Sequence, residues 1–322
     1  MNAKPKVLFT DLIPDEWIGT IQDKIEIILN NSGDRFQRIE EVEGIFSLLN
    51  VPIRADTLKN AKSLKVISNM AVGFDNIDVQ WCTENRIPVG NTPDTVTDST
   101  ADAAFGLIIA ASRNFNKASA DARSGKWKGW SLTNWLGMEL SEKTLGILGM
   151  GKIGKAVADR ARGFKMRIIY HNRRSLDHFT GAEYVSFEDL FRESDILSLH
   201  CPLSEETQGL IGRDELKMMK STAILVNTAR GKVVDQEALI DALKTGTITA
   251  AGLDVTDPEP LPIMNELFKL DNCFVLPHIG TSTIEARKKM AKAACENLLA
   301  GLRGERLPTC VNPQVYSDYQ PG

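Results

Sequence analysis

No part of the sequence restricts the fold as much as residues 144–154, Thr-Leu-Gly-Ile-Leu-Gly-Met-Gly-Lys-Ile-Gly. Leu145, Ile147 and Leu148 read as a short buried strand, and Gly149-Met150-Gly151-Lys152-Ile153-Gly154 fits the dinucleotide-binding pattern G-x-G-x-x-G. Each glycine there has its own task. Gly149 makes the tight turn out of the strand, Gly151 lets a pyrophosphate approach bare backbone, and Gly154 brings the following helix close to the sheet. Lys152 and Ile153 open that helix, whose unpaired N–H groups and positive dipole end suit phosphate. Six residues alone could match by chance, so the surroundings decide. Ile153, Ala156, Val157, Ala161 and Phe164 recur at helical spacing, Gly163 sits near the helix end, and 166–170 reads as the next strand. Strand, glycine turn, helix and strand in this length predict a βαβ nucleotide unit.

The same unit carries a signal about the ribose. NAD sites usually place an acid at the end of the second strand, where it bonds the ribose diol. Here Ile168-Ile169-Tyr170 runs into His171-Asn172-Arg173-Arg174, with no acid at the turn. Arg173 and Arg174, beside Asn172, could pair with a 2′-phosphate, which an aspartate would repel. The expectation is NADP, with NADPH preferred over NADH; the alternative is a solvated arginine turn that still accepts NAD.

Beyond residue 170 the strand–helix alternation continues. Ser186 begins a capping box with Asp189, 195–200 reads as a strand, and Asp214 as the cap of a helix through Met219. Residues 223–227 read as a strand, Asp235 as the cap of a helix ending before Gly246, and 249–255 and 273–276 as the last strands. Before the fingerprint, 7–9, 25–29, 45–48, 65–68 and 88–89 are candidate strands, with helical candidates at 16–24 and 55–60. That first portion has no glycine-rich phosphate signature, so its task differs. Between the two lies a long segment, 98–123, apolar nearly all round and capped by Asp98, Ser99 or Thr100. We read it as a subunit or domain interface ahead of ordinary core. Trp127, Trp130 and Trp135 follow in a loop and read as packing residues, the alternative being that one walls a ligand site across an interface. The helix 284–302 is expected to return to the first domain, and 311–322 to form a loose or docking tail.

Ligands of such sheets bind beyond the carboxyl ends of the strands. Three side chains stand there. Arg230, in Asn-Thr-Ala-Arg-Gly, offers a fork suited to a carboxylate. Glu259 lies among Pro258, Pro260 and Pro262 in a stiff, non-helical segment. His278, in Leu-Pro-His-Ile-Gly, is the side chain best able to exchange a proton near neutral pH. Singly, each has a bland reading as a turn arginine, a solvated acid or a structural histidine. Together they point to acid–base chemistry.

These motifs, with Asn69-Met70-Ala71-Val72-Gly73-Phe74-Asp75-Asn76-Ile77-Asp78 and Asp254–Pro260, resemble the D-2-hydroxyacid dehydrogenases over nearly the whole chain. The likeness is greatest to their glyoxylate/hydroxypyruvate reductase branch. The resemblance implies two doubly wound α/β domains with a cleft between them. One is a flavodoxin-like substrate domain (1–98 and 286–322), the other a Rossmann nucleotide domain (99–285). It implies His278 as acid–base, Glu259 as its orienting carboxylate and Arg230 as the group that binds substrate and polarises its keto oxygen. Backbone N–H groups of Val72 and Gly73 would hold the substrate carboxylate, and Asp254 would contact the nicotinamide carboxamide. The expected reaction is reduction of glyoxylate or hydroxypyruvate to the D-2-hydroxy acid, without a metal.

Alternatives are a 2-ketogluconate reductase, a phosphoglycerate dehydrogenase or a formate dehydrogenase. The last carries glutamine where Glu259 stands and has a longer chain, and many phosphoglycerate dehydrogenases carry an added regulatory domain. A nucleotide-sensing corepressor is the non-enzymatic alternative.

Bulk properties narrow the partners. A net charge of −4 gives no reason to expect nucleic acid or an anionic membrane. The first apolar run is too short for a signal-peptide core, and Asp102 and Arg113 interrupt the longest one. Five scattered cysteines, without metal-ligand spacing, read as reduced thiols of a cytoplasmic protein. The expected partners are a small 2-keto or 2-hydroxy acid and a second copy of the chain, pairing through residues 100–140.

Overall fold

The computed structural model describes residues 3–30, 34–176 and 181–317; positions 318–322 of the expected tail lie outside them. The chain divides into two compact units, Met1–Val96 with Thr283–Gly322, and Thr97–Ser282.

In the first unit the chain alternates β1 (Lys6–Phe9), α1 (Asp15–Gln22), β2 (Glu26–Leu29), β3 (Gly44–Ser47), α2 (Ala55–Leu58), β4 (Val66–Asn69), α3 (Val79–Glu84) and β5 (Val89–Gly90). The strands pair in parallel in the order β2-β1-β3-β4-β5, the flavodoxin-like order. β3 and β4 are buried along their whole length, as strands covered on both faces must be. The C-terminal helix Ile284–Leu302 packs on this sheet through Met290, Ala294 and Leu298. It approaches closely because Gly301 faces Val66: a Cβ there would lie 2.4 Å from the Val66 Cβ.

The second unit opens with α4 (Thr97–Ser112) and α5 (Phe115–Arg123). It continues through β6 (Thr144–Leu148), α6 (Lys152–Gly163), β7 (Arg167–His171), β8 (Glu183–Tyr184), α7 (Phe187–Glu193) and β9 (Ile196–Leu199). α8 (Arg213–Met218), β10 (Ile224–Asn227), α9 (Gln236–Thr245), β11 (Ala250–Leu253) and β12 (Cys273–Val275) complete it. The sheet runs β12-β11-β10-β9-β6-β7-β8, all parallel. Chain direction across the sheet reverses between β6 and β9, so the crevice of this doubly wound unit opens at the carboxyl end of β6.

Several local expectations need correction. The segment 98–123 is not one helix: Asn114 adopts a left-handed backbone (φ 53°) and separates α4 from α5. α4 begins at Thr97, so Asp98, Ser99 and Thr100 lie inside its first turn rather than ahead of it. One face of it is core: Ala101, Ala104, Leu107 and Ile108 are buried among α6 and the sheet residues. Gly252 of β11 leaves room for Leu107, whose backbone oxygen would be 3.3 Å from an added Cβ. Asp214 does not cap α8. Gly212 precedes that helix, and the Glu215 carboxylate accepts its N–H at 3.0 Å. Asp235 does cap α9, accepting from the Ala238 N–H. Trp127 and Trp130 are largely exposed rather than packed, whereas Trp135 donates its ring N–H to Asp121.

His200, at the end of β9, is a titratable group built into this framework. The residue is half-buried, with Ser198 Oγ 2.8 Å from its Nε2. Burial pushes its pKa down to about 4. Folding therefore favours the neutral ring, and an unfolded histidine near pKa 6.5 binds more protons. Stability is fully present above pH 6.5 and declines as pH falls toward 4, by at most about 1.4 kcal/mol per pH unit from this group. Urea unfolding of wild type and His200→Gln between pH 7.5 and 4.5 checks this. The variant's stability should fall less steeply; equal slopes would exclude a His200 contribution.

Candidate active site

β10, β11 and β12 lie side by side and end level with one another, Asn227 opposite Leu253 and Leu253 opposite Val275. The segments leaving them carry Arg230, then Asp254 and Glu259, then His278. Parallel pairing thus brings together residues nearly fifty positions apart in the chain.

The imidazole of His278 places Nδ1 2.8 Å from Glu259 Oε2. Glu259 Oε1 accepts the Thr256 N–H at 3.0 Å, so both carboxylate oxygens are committed and the side chain is fixed. Burial pushes the Glu259 carboxyl up, but hydrogen bonds from His278 and Thr256, with the charges of His278 and Arg230, outweigh it and hold it below its usual range. It is therefore a carboxylate at neutral pH. The His278 side chain is 22 % exposed.

His278 has a left-handed backbone, φ 54°, uncommon for a residue with a side chain. Asp254 supports it. Its backbone oxygen accepts the His278 N–H at 2.9 Å, and its carboxylate accepts the Ile279 N–H at 2.7 Å and the Gly280 N–H at 2.8 Å. Asp254 is 2 % exposed, so these bonds form away from competing water. Position 280 has to be glycine-sized, because a Cβ would stand 2.9 Å from Asp254 Oδ2. The hydroxyls of Thr100 and Thr281 are buried without a hydrogen-bond partner beside this loop, which suits the polar end of a ligand.

Arg230 leaves β10 through a turn tied by Asn227. Its Oδ1 accepts the Ala229 N–H, and its Nδ2 donates to the Arg230 carbonyl at 2.9 Å. The turn seats directly on the Glu259 segment, since a Cβ at Gly231 would fall 2.0 Å from the Thr256 carbonyl oxygen. Only a residue with no side chain lets the guanidinium and the carboxylate segments meet this closely.

The fingerprint takes the expected form. Gly149 has φ 98°, and a Cβ there would strike the His200–Cys201 backbone at 2.6 Å. Gly154 approaches the Gly149 carbonyl to within 2.4 Å of an added Cβ, whereas nothing lies within 4 Å of one at Gly151, which faces open space. Lys152 and Ile153 start α6, and its N-cap residue, Gly151, has no side chain with which to cap it. Asn172 Oδ1 accepts the Met150 N–H at 2.7 Å, so the end of β7 braces the glycine loop. Arg173 and Arg174 follow, both exposed, and Arg173 Nη1 meets Glu206 Oε2 at 3.0 Å. A glycine-walled turn that opens onto a helix N-terminus in this way fits a dinucleotide pyrophosphate.

Val72 and Gly73 lie in the other unit, after β4. The Ala71 carbonyl accepts the Thr92 N–H at 2.8 Å, and the Val72 carbonyl accepts Asn91 Nδ2 at 2.8 Å. In a planar trans peptide the N–H opposes the preceding carbonyl, so both bonds turn the Val72 and Gly73 N–H groups away from Thr92 and Asn91. Asn69 Nδ2 donates to the Gly73 carbonyl at 2.9 Å and holds the rest of the loop.

Residues 105–280 match the family described as D-isomer specific 2-hydroxyacid dehydrogenase, NAD binding domain. A glyoxylate reductase of Thermococcus litoralis is 46% identical to this sequence, over 99% of the chain and 100% of the relative. The chain belongs to the D-isomer specific 2-hydroxyacid dehydrogenases. Among solved structures, a glyoxylate reductase from Paecilomyes thermophila superposes with a TM-score of 0.87 at 36% identity, covering 98% of this chain and 100% of that one. An NADPH-dependent glyoxylate/hydroxypyruvate reductase from Sinorhizobium meliloti gives 0.86 at 28% identity, covering 97% and 99%. This D-2-hydroxyacid dehydrogenase is accordingly an NAD(P)-dependent enzyme acting on the 2-keto and 2-hydroxy acid couple.

Sequence reading overlooked the supports of the dehydrogenase site. Asn227, Gly231, Asn69 and Asn91 each fix a segment that carries a candidate group. Asp254, expected at the nicotinamide carboxamide, is first of all the brace of the His278 loop. The absence of an acid at the β7 turn holds only locally, because Glu206 arrives from the turn after β9.

Proposed function

We propose that this dehydrogenase reduces glyoxylate or hydroxypyruvate to the D-2-hydroxy acid, using NADPH in preference to NADH and His278 as the proton donor. The observation that carries the reading is the His278–Glu259 pair at 2.8 Å, with the Arg230 turn seated against the same segment. The substrate follows the names of the relatives, which are glyoxylate and glyoxylate/hydroxypyruvate reductases.

When bound, the nicotinamide supplies the hydride. The residues do the rest. Glu259, ionised at neutral pH, accepts Nδ1–H of His278 and orients the ring, leaving Nε2–H to face substrate. As hydride reaches the keto carbon, electrons move onto its oxygen, and Nε2 gives up its proton to that oxygen. Arg230 contributes a fixed positive charge where the alkoxide develops. The Val72 and Gly73 N–H groups hold the substrate carboxylate and thereby its orientation.

Replacing His278 with alanine should lower kcat/KM for keto-acid reduction by about 100- to 10,000-fold while NADPH still binds. Glu259→Gln should cost less, because the neutral amide oxygen can still accept the ring N–H but no longer sets a full negative charge beside it. A kcat/KM unchanged in Glu259→Gln counts against the assigned pairing.

A second test addresses substrate and cofactor together. Glyoxylate, hydroxypyruvate, pyruvate and 2-ketogluconate are each assayed with both reduced cofactors. One of the first two should give the highest kcat/KM, with NADPH favoured by about tenfold or more through charge-assisted arginine contacts. Comparable values with NADH would sink the cofactor assignment, and a 2-ketogluconate maximum the substrate assignment. No turnover with any acid would favour a binding protein.

We also infer a homodimer through residues 100–140. Phe115, Trp127, Trp130, Leu132 and Leu136 expose apolar area over this stretch, which water penalises until it is covered. Light scattering should give twice the chain mass of 35.5 kDa; a monomer at micromolar concentration rejects the inference.

A further inference from the structure

The Arg173–Glu206 pair has a particular place in the sheet. β6 lies between β9 and β7. Arg173 leaves the carboxyl end of β7, and Glu206 stands on the turn that follows β9. Their contact at 3.0 Å therefore crosses the carboxyl end of β6, over the mouth of the crevice that holds the glycine loop.

Both backbones are fixed. Asn172, next to Arg173, is bonded to Met150 in the glycine loop. The turn bearing Glu206 is closed by Thr207, whose Oγ1 accepts the Ser204 N–H at 2.8 Å and donates to the Pro202 carbonyl at 2.6 Å, and by the Gln208 N–H on the Ser204 carbonyl at 2.9 Å. The side chains are free to move by comparison, 86% exposed for Arg173 and 68% for Glu206. Fixed anchors with exposed tips make a contact that a ligand can open without disturbing the fold.

We propose that Glu206 is a specificity-determining residue that opposes a 2′-phosphate on the cofactor ribose. The proposal rests on the NADPH reading above, in which Arg173 receives that phosphate. An exposed ion pair is weak, so a phosphate carrying nearly two negative charges outcompetes one carboxylate for the guanidinium. The displaced carboxylate remains anchored beside the site, and its charge repels the phosphate. A ribose diol carries no charge and meets no such opposition. Glu206 thus moderates the preference that Arg173 creates, acting from the opposite wall of the crevice.

The test measures binding, without turnover. Isothermal titration of the full chain with 2′,5′-ADP and with 5′-AMP compares wild type, Glu206→Gln and Arg173→Gln at low salt. In Glu206→Gln, 2′,5′-ADP should bind about fivefold tighter while 5′-AMP stays within about twofold, the scale of one exposed charge pair. In Arg173→Gln, 2′,5′-ADP should bind about tenfold weaker and 5′-AMP should again change little. If Arg173→Gln weakens 2′,5′-ADP but Glu206→Gln leaves it unchanged, the role of Glu206 is overturned and the NADPH reading stands. If Arg173→Gln leaves 2′,5′-ADP unchanged, the NADPH reading falls and takes this proposal with it.

Discussion

The carboxylate of Asp254 holds two consecutive backbone N–H groups, and the position of His278 depends on that grip. His278 occupies a backbone conformation that a side chain disfavours. A strained residue persists only where its neighbours over-determine it. Here they do so through a main-chain bond ahead of the strain and two charge-assisted bonds behind it, all in a buried setting. Glu259 then meets a ring whose place is already decided. The pair is a consequence of the loop, and the loop is a consequence of β11 lying next to β12.

Close backbone approach is the second theme. Gly231 against Thr256, Gly149 against His200 and Gly154 against Gly149 are places where segments touch with no side chain between them. Each sits at a junction that carries chemistry, either the guanidinium turn or the phosphate cradle. Interiors are densely packed, so a single methyl at such a point has nowhere to go without moving the segments themselves. The glycines of Asn-Thr-Ala-Arg-Gly and of the fingerprint therefore do one job in two settings.

The alternation of strands and helices was legible in the sequence because parallel strands are covered on both faces and read as apolar runs. Arg230, Glu259 and His278 were legible because they follow such runs directly. What escaped was whatever depends on tertiary neighbours. The apolar character of 98–112 does not say which of its faces the protein's own sheet covers; Gly252 against Leu107 shows one that it does. The break at Asn114 has no proline or glycine to announce it. Asp214 looked like a cap because caps favour aspartate, yet Glu215 reaching back to Gly212 sets the boundary two residues earlier. Glu206 lies more than thirty positions from Arg173, and only the strand order β9-β6-β7 makes them neighbours.

The loop after β4 carries a different kind of consequence. Its carbonyls at Ala71 and Val72 are tied down by Thr92 and Asn91, so what it presents outward is peptide nitrogen. Side-chain replacement at 72 leaves that donor pattern intact, since the peptide group is common to every amino acid except proline. Mutation can therefore drift freely at the surface of this loop without erasing its donors, and under the proposed role any change in the acids accepted has to arise from other residues.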